Sequence, residues 1–114
     1  MRLLVIYSIF VLFISLIPVE EPRILVGIPW DKIGHFFIYF IFAIITYKTF
    51  FKSLHPYLYV FVYNFSFGLI VEIIQYFLPY RTFEFKDLFF NSLGILVGLM
   101  FLRYFKLSLK LINE

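Results

Sequence analysis

A chain of 114 residues that is 63% hydrophobic and 15% charged, with a mean hydropathy of +0.97, is too apolar for a soluble domain. Its net charge of +3 comes from basic residues set singly at the ends of apolar runs, which excludes a nucleic-acid-binding stripe and fits membrane topology instead. With no cysteine, disulfide frameworks, thiolate chemistry and Cys-ligated zinc are excluded as well.

A hydrocarbon core of about 30 Å takes roughly 20 apolar residues per helix. The chain therefore has room for four spans and none for a soluble catalytic domain. The expected fold is all-α, an integral membrane four-helix bundle forming a single domain over 1–114, with helices at about 3–17, 33–51, 57–78 and 88–105. Prolines mark the edges of these runs, where a missing N–H costs least: Pro18, Pro22 and Pro29 in the first connection, Pro56 at the start of the third run and Pro79 at its end. Membrane strands are excluded because they are about 10 residues long, alternate in polarity and must close a barrel with more segments than are present. Helices are the other way to satisfy a backbone in lipid.

The first run, MRLLVIYSIFVLFISLIPVEEP, has the basic start and short apolar core of a signal peptide but no small-residue cleavage site. It reads as a retained helix on the short side, with a cleaved or re-entrant segment as the alternative. Lys and Arg near the helix ends set the orientation. Arg2, Lys48, Lys52, Arg103, Lys106 and Lys110 fall on one side, against Arg23, Lys32, Arg81 and Lys86 on the other. That bias predicts both termini in the cytoplasm and a multi-pass protein of the bacterial plasma membrane. Trp30 and Tyr80 then fall in an interfacial aromatic belt on the outer side.

The second run opens PWDKIGHFFIYF, with Asp31 at the outer mouth, His35 a turn inside at about 6 Å and Tyr39 a turn deeper on the same face. In the third run Asn64, Gly68, Glu72 and Gln75 recur at helical spacing, with Glu72 about 9 Å below the outer end at Leu78. In the fourth, Asp87 stands at the mouth, and Asn91, Gly94 and Gly98 follow along one stripe. Three helices thus bring polar groups to the same outer third of the bilayer. A charge at the centre of a membrane helix costs about 3 kcal/mol on insertion scales, so Glu72 should face the bundle interior, neutral or paired with Arg81, Lys32 or a protonated His35.

Interhelical hydrogen bonds worth about 0.6 kcal/mol each would explain any one of these residues as packing glue. The whole set, with acids, bases and amides together, points further, to a ligand-binding pocket of Asp31, Lys32, His35, Tyr39, Glu72, Gln75, Arg81, Asp87 and Asn91. An anion suits it best: Arg81 offers a bidentate fork, Lys32 a point charge, and the second and fourth helices both open outward at their positive dipole ends. Snorkelling, or pairing of Arg81 and Lys32 with Asp87 and Asp31, is the plainer reading of the two cations. His35 and Glu72 are the candidate acid/base pair for catalysis. No metal or other cofactor is expected, since no H-E-x-x-H spacing occurs and Arg81 and Lys32 would oppose a cation. Ser92 points about 100° away from Asn91 and lies in no G-x-S-x-G elbow, which argues against a serine nucleophile. Gly94 and Gly98, in GILVG, form a small-xxx-small packing face, with homo-oligomerisation as its lesser use.

DKIGHFFIY, carrying Asp31, Lys32, His35, Phe36 and Tyr39, resembles the first motif of the VanZ-like family, small polytopic bacterial membrane proteins. GLIVEIIQYFLPYRTFEFKDLFFNSLGILVG resembles its second, through Gly68, Glu72, Gln75, Pro79, Arg81, Asp87, Asn91, Gly94 and Gly98. The resemblance covers the last three helices; between Arg81 and Asp87 the bulky, charged TFEFK replaces the small residues usual in the family. It implies a cell-envelope membrane protein and a link to glycopeptide resistance, lowered susceptibility to teicoplanin in one member; it implies no reaction. The expected function is binding of an anionic lipid headgroup or envelope precursor in the outward pocket. The alternatives are a membrane-embedded hydrolase or transferase acting on a phosphate-linked lipid through His35 and Glu72 as acid/base or metal ligands, and a structural subunit whose polar layer only fixes helix packing. Membrane lipids are the expected partners; nucleic acid is not one.

Overall fold

A computed structural model describes residues 2–16, 30–79 and 85–113, with Trp30, Asp31 and 107–113 described at the backbone alone. The described residues form four helices, α1 (Arg2–Leu16), α2 (Trp30–Phe50), α3 (Pro56–Tyr76) and α4 (Phe85–Asn113), and no strand. Three of them contain stretches long and apolar enough to cross a membrane: Lys32–Phe50, Pro56–Tyr76 and Phe85–Lys106. α1, at 15 residues, is about 22 Å long and falls short of a hydrocarbon core on its own. The first connection with Pro18, Pro22, Arg23 and Pro29, residues Tyr80 and Arg81, and the side chain of Trp30 lie outside the described residues.

The helix bounds depart from the hydropathy pattern mainly where helix outlasts apolarity. α2 starts three residues before its apolar run, which takes Asp31 and Lys32 into its first turn. α4 starts at Phe85 and continues to Asn113, eight residues past Phe105, because KLSLKLIN is rich in good helix formers although it is no longer uniformly apolar. Pro56 occupies the first turn of α3, where its missing N–H is harmless. At the other end of α3 the Phe77 and Leu78 amides bond the Ile74 and Gln75 carbonyls at 3.1 and 3.0 Å, tightening the last turn before Pro79 stops it. Between α2 and α3, both the backbone amide and the hydroxyl of Ser53 donate to the Phe50 carbonyl, at 2.9 and 2.5 Å, and close the turn.

Consecutive helices run antiparallel, so α2 and α4 are parallel to each other. α2 is the hub: it touches every other helix and packs most extensively on α4, whereas α1 and α4 have no contact among the described residues. Glycines make the α2–α4 approach possible. A Cβ at Gly94 would be driven into the Phe36 carbonyl, and one at Gly98 would stand 3.0 Å from both the Ala43 Cβ and the Phe40 oxygen. In lipid, helices gain little from hydrophobic association, so close backbone contact of this kind carries the packing. Self-association through Gly94 and Gly98 would require α2 to give up this face.

The centre is aromatic. Phe42 is completely buried, with the rings of Tyr7, Tyr39, Tyr63 and Phe67 at 5.2–5.9 Å between centroids. Two polar contacts pin α1 to this core: the Tyr7 hydroxyl donates to the Ile38 carbonyl at 2.7 Å, and the Ser8 and Tyr63 hydroxyls meet at 3.0 Å.

Candidate functional site

Because α2 and α4 are parallel, their first turns lie at the same end of the bundle, beside the last turn of α3. The α2 positions 32, 35 and 39 and the α4 positions 87 and 91 each follow helical spacing, so each set forms a short stripe, and the two stripes face each other. Lys32 Nζ lies 2.5 Å from Asp87 Oδ1. One turn deeper, His35 Nδ1 lies 2.8 Å from Asn91 Oδ1. His35 Nε2 faces Asp87 Oδ1 across 3.9 Å, too far for a hydrogen bond and close enough for an ion pair once the ring is protonated. Since Asn91 Oδ1 only accepts, Nδ1 carries a proton in this arrangement, and in the neutral ring Nε2 is left as an acceptor directed toward the carboxylate.

α3 closes the layer from the third side. Gly68 leaves room there: a Cβ on it would stand 3.1 Å from Asn91 Nδ2 and 3.3 Å from the Tyr39 hydroxyl oxygen. Tyr39, Asn91 and Gly68 therefore meet at one point, and Glu72 lies buried one turn nearer the mouth on α3. Burial is deep throughout, with Tyr39 and Asn91 each 2% exposed and Glu72 1%. Lys32 and His35 are the less enclosed members of the layer.

Gln75 is engaged differently. Its amide nitrogen donates to the Ser15 carbonyl at 2.6 Å, satisfying one of the acceptors that the end of α1 leaves open. Through this bond the short first helix is attached to the polar layer. Of the nine residues expected at the site, the structure thus gathers Lys32, His35, Tyr39, Glu72, Asp87 and Asn91, and gives Gln75 to the α1 terminus. The Asp31 side chain and Arg81 lie outside the described residues. Among the described residues no three acid or histidine side chains converge as a metal ion would require. Ser92 donates to the Leu88 carbonyl of its own helix at 2.8 Å, which takes its hydroxyl away from the layer.

A second polar layer is formed by a pair whose α2 member the spacing argument passed over. Thr46 and Asn64, both completely buried, meet beyond Phe42, about 12 Å further along α3 than Glu72. The Thr46 hydroxyl lies 2.8 Å from the Phe42 carbonyl oxygen and 2.9 Å from Asn64 Oδ1, while Asn64 Nδ2 has no partner among the described residues. One hydroxyl proton cannot serve two acceptors fully. With the amide turned over, Nδ2 donates to Thr46 and Thr46 to Phe42, so that both donors are used. Thr46 was traceable in the sequence as the polar residue seven positions after Tyr39 on the same face, and Asn64 as part of the α3 stripe; their pairing was not.

No curated protein and no solved structure matches the chain. The VanZ/LLP1 family model does, over residues 3–107, a stretch that takes in both glycine positions of α4 and every residue of the polar layer. The paired layer across α2, α3 and α4 is therefore found in a chain that belongs to the VanZ/LLP1 family.

Proposed function

We propose that this VanZ-like membrane protein sits in the bacterial plasma membrane with both termini in the cytoplasm and its polar layer in the outer leaflet, where it holds an anionic lipid headgroup or envelope precursor. The observation that carries the reading is the Lys32–Asp87 pair at the opening of a buried cluster that also holds His35, Tyr39, Glu72 and Asn91. Asp87 holds the Lys32 ammonium in place at the opening of the cluster, where its positive charge would attract phosphate oxygens. The coincident N-termini of α2 and α4 add two positive dipole ends, and Arg81 would supply a bidentate fork from between α3 and α4. His35 gains charge by protonation against Asp87, so the site can match the charge of the bound group. Asn91 would orient the headgroup. In this reading lowered susceptibility to teicoplanin follows from holding a cell-wall lipid at the outer face.

A second reading, a hydrolase or transferase acting on a phosphate-linked lipid, draws on the His35 ring itself. One of its nitrogens is held by Asn91 and the other faces a carboxylate, the arrangement of an oriented acid/base group, with Glu72 close behind. Native mass spectrometry of the gently extracted protein separates these readings. Wild type should carry an anionic lipid that Lys32→Gln loses while the fold survives. Wild type without any lipid adduct would overturn the binding function. Lipid turnover abolished by His35→Ala or Glu72→Gln would move the assignment to the enzyme. Collapse of thermal stability in all three variants, with neither binding nor turnover in wild type, would leave the layer a packing device.

A further inference from the structure

The charges of the bundle are divided by end. Both acids with described side chains, Glu72 and Asp87, lie at the end where α2 and α4 begin, together with Lys32 and Lys86. At the opposite end, where α2 turns into α3, stand Arg2, Lys48, Lys52, Arg103 and Lys106, all exposed and none in an ion pair among the described residues. The register that places Ala43 beside Gly98 carries Lys48 level with Arg103, so cations of α2 and α4 share one depth. Some of this charge suits the last turn of α2, where Lys48 meets the negative dipole end. Among the described residues no acid stands at this end to balance these cations.

One part of this end is more than diffuse charge. The Tyr47 and Tyr57 rings stack at 5.4 Å with an interplanar angle of 28°, joining the end of α2 to the start of α3. Tyr47 lies one turn beyond Ala43 on the α2 face that meets Gly98, which sets it at the depth of Arg103 on α4. Both tyrosines are only half-buried, and the surface around them is strongly apolar, with Leu54 83% and Tyr104 74% exposed. Two stacked phenols and a guanidinium thus share one depth of the bundle beside an apolar surface.

We propose that Tyr47, Tyr57 and Arg103 form a seat for the phosphodiester of an anionic phospholipid, with Lys48 and Lys52 flanking it, at the end of the bundle opposite the polar layer. The guanidinium fork takes the two non-bridging phosphate oxygens, the tyrosine hydroxyls donate to remaining lone pairs of the same oxygens, and the flanking lysines neutralise the field around them. The apolar surround selects a lipid over a free phosphate. The seat is independent of the Lys32 layer and stands or falls separately from it.

Nanodiscs of mixed phosphatidylglycerol and phosphatidylcholine, analysed by native mass spectrometry, test it. Wild type should retain phosphatidylglycerol preferentially. Arg103→Gln should lower that retention about fivefold, the weight of one basic residue at an anionic surface. Tyr57→Phe, which changes no charge, should also lower it, and Arg103→Lys should fall between wild type and Arg103→Gln because the fork is lost while the charge stays. Lys32→Gln should lower retention only by the share held at the polar layer and add to Arg103→Gln, because the two sites fill separately. A wild type with no preference, or Tyr57→Phe and Arg103→Lys both binding as wild type does, would overturn the seat in favour of diffuse attraction. Displacement of the lipid by millimolar inorganic phosphate would overturn the choice of a lipid as its occupant.

Discussion

Lys32 Nζ lies 2.5 Å from Asp87 Oδ1, tying the first turns of two parallel helices through side chains that are only 12% and 9% exposed. At that burial the pair behaves more like an interior ion pair than a surface one: removing one partner strands the other charge at the mouth of the bundle. Asp87→Asn or Lys32→Met alone should each cost about 3 kcal/mol, and the double variant Lys32→Met/Asp87→Leu should recover most of the loss. Equilibrium unfolding in mixed micelles measures all three. A double variant as unstable as the sum of the two single ones would show that the two side chains act independently.

The glycines of the chain should differ sharply in what they tolerate. Ala at position 94 forces α4 away from the Phe36 carbonyl, a backbone atom that cannot move aside by changing a side-chain torsion, and should cost about 3 kcal/mol. Gly98→Ala meets Ala43 and the Phe40 oxygen at 3.0 Å and should cost less. Gly34→Ala meets nothing within 4 Å and should stabilise the bundle by up to about 1 kcal/mol through helix propensity. Melting temperatures in detergent should rank the variants in that order. Equal effects at positions 34 and 94 would mean that the α2–α4 approach is not as close as it stands here.

The inner pair should show a coupling that the outer one masks with charge. Thr46→Val removes the partner of the Asn64 amide in a fully buried setting, and Asn64→Leu removes the partner of Thr46, whose hydroxyl keeps the Phe42 carbonyl. A double-mutant cycle should therefore return a coupling of about 1 kcal/mol, the range found between helices in membranes. Additive single effects would place the two side chains out of hydrogen-bonding contact.

The polar layer was legible because it is periodic. Lys32, His35 and Tyr39, and Asp87, Asn91 and Gly94, recur at three- and four-residue intervals, which fixes a shared face on each helix whatever the helix packs against. The counterion of Lys32 and the placement of Gln75 were not legible in the same way, since each depends on the register between two helices. That register is set by backbone contact at Gly94 and Gly98, and a one-turn slip would have re-paired the whole layer. Hydropathy likewise located the part of α4 suited to lipid and missed its last turns, because residues 106–113 keep helix propensity after apolarity is lost. The isolation of α1 from α4 had no counterpart in the pattern, as a short apolar run looks the same whether it packs on one neighbour or three.

That isolation makes α1 the helix most dependent on single bonds. It is held by one face, Leu4, Ser8 and Val11, by the Tyr7 and Ser8 hydroxyls, and by the Gln75 amide on the Ser15 carbonyl. Gln75→Leu keeps the apolar bulk while withdrawing the donor from a carbonyl that has lost its helical partner, so the end of α1 must open to find water or another donor. Local opening should then rise selectively, and hydrogen exchange of the amides of residues 12–16 should accelerate several-fold. The amides of α3 and α4 should keep their wild-type rates, because their contacts with each other and with α2 do not pass through α1. If exchange rises in all four helices together, Gln75 supports the bundle as a whole. If it rises in none, the bond to Ser15 contributes nothing to holding α1 in place.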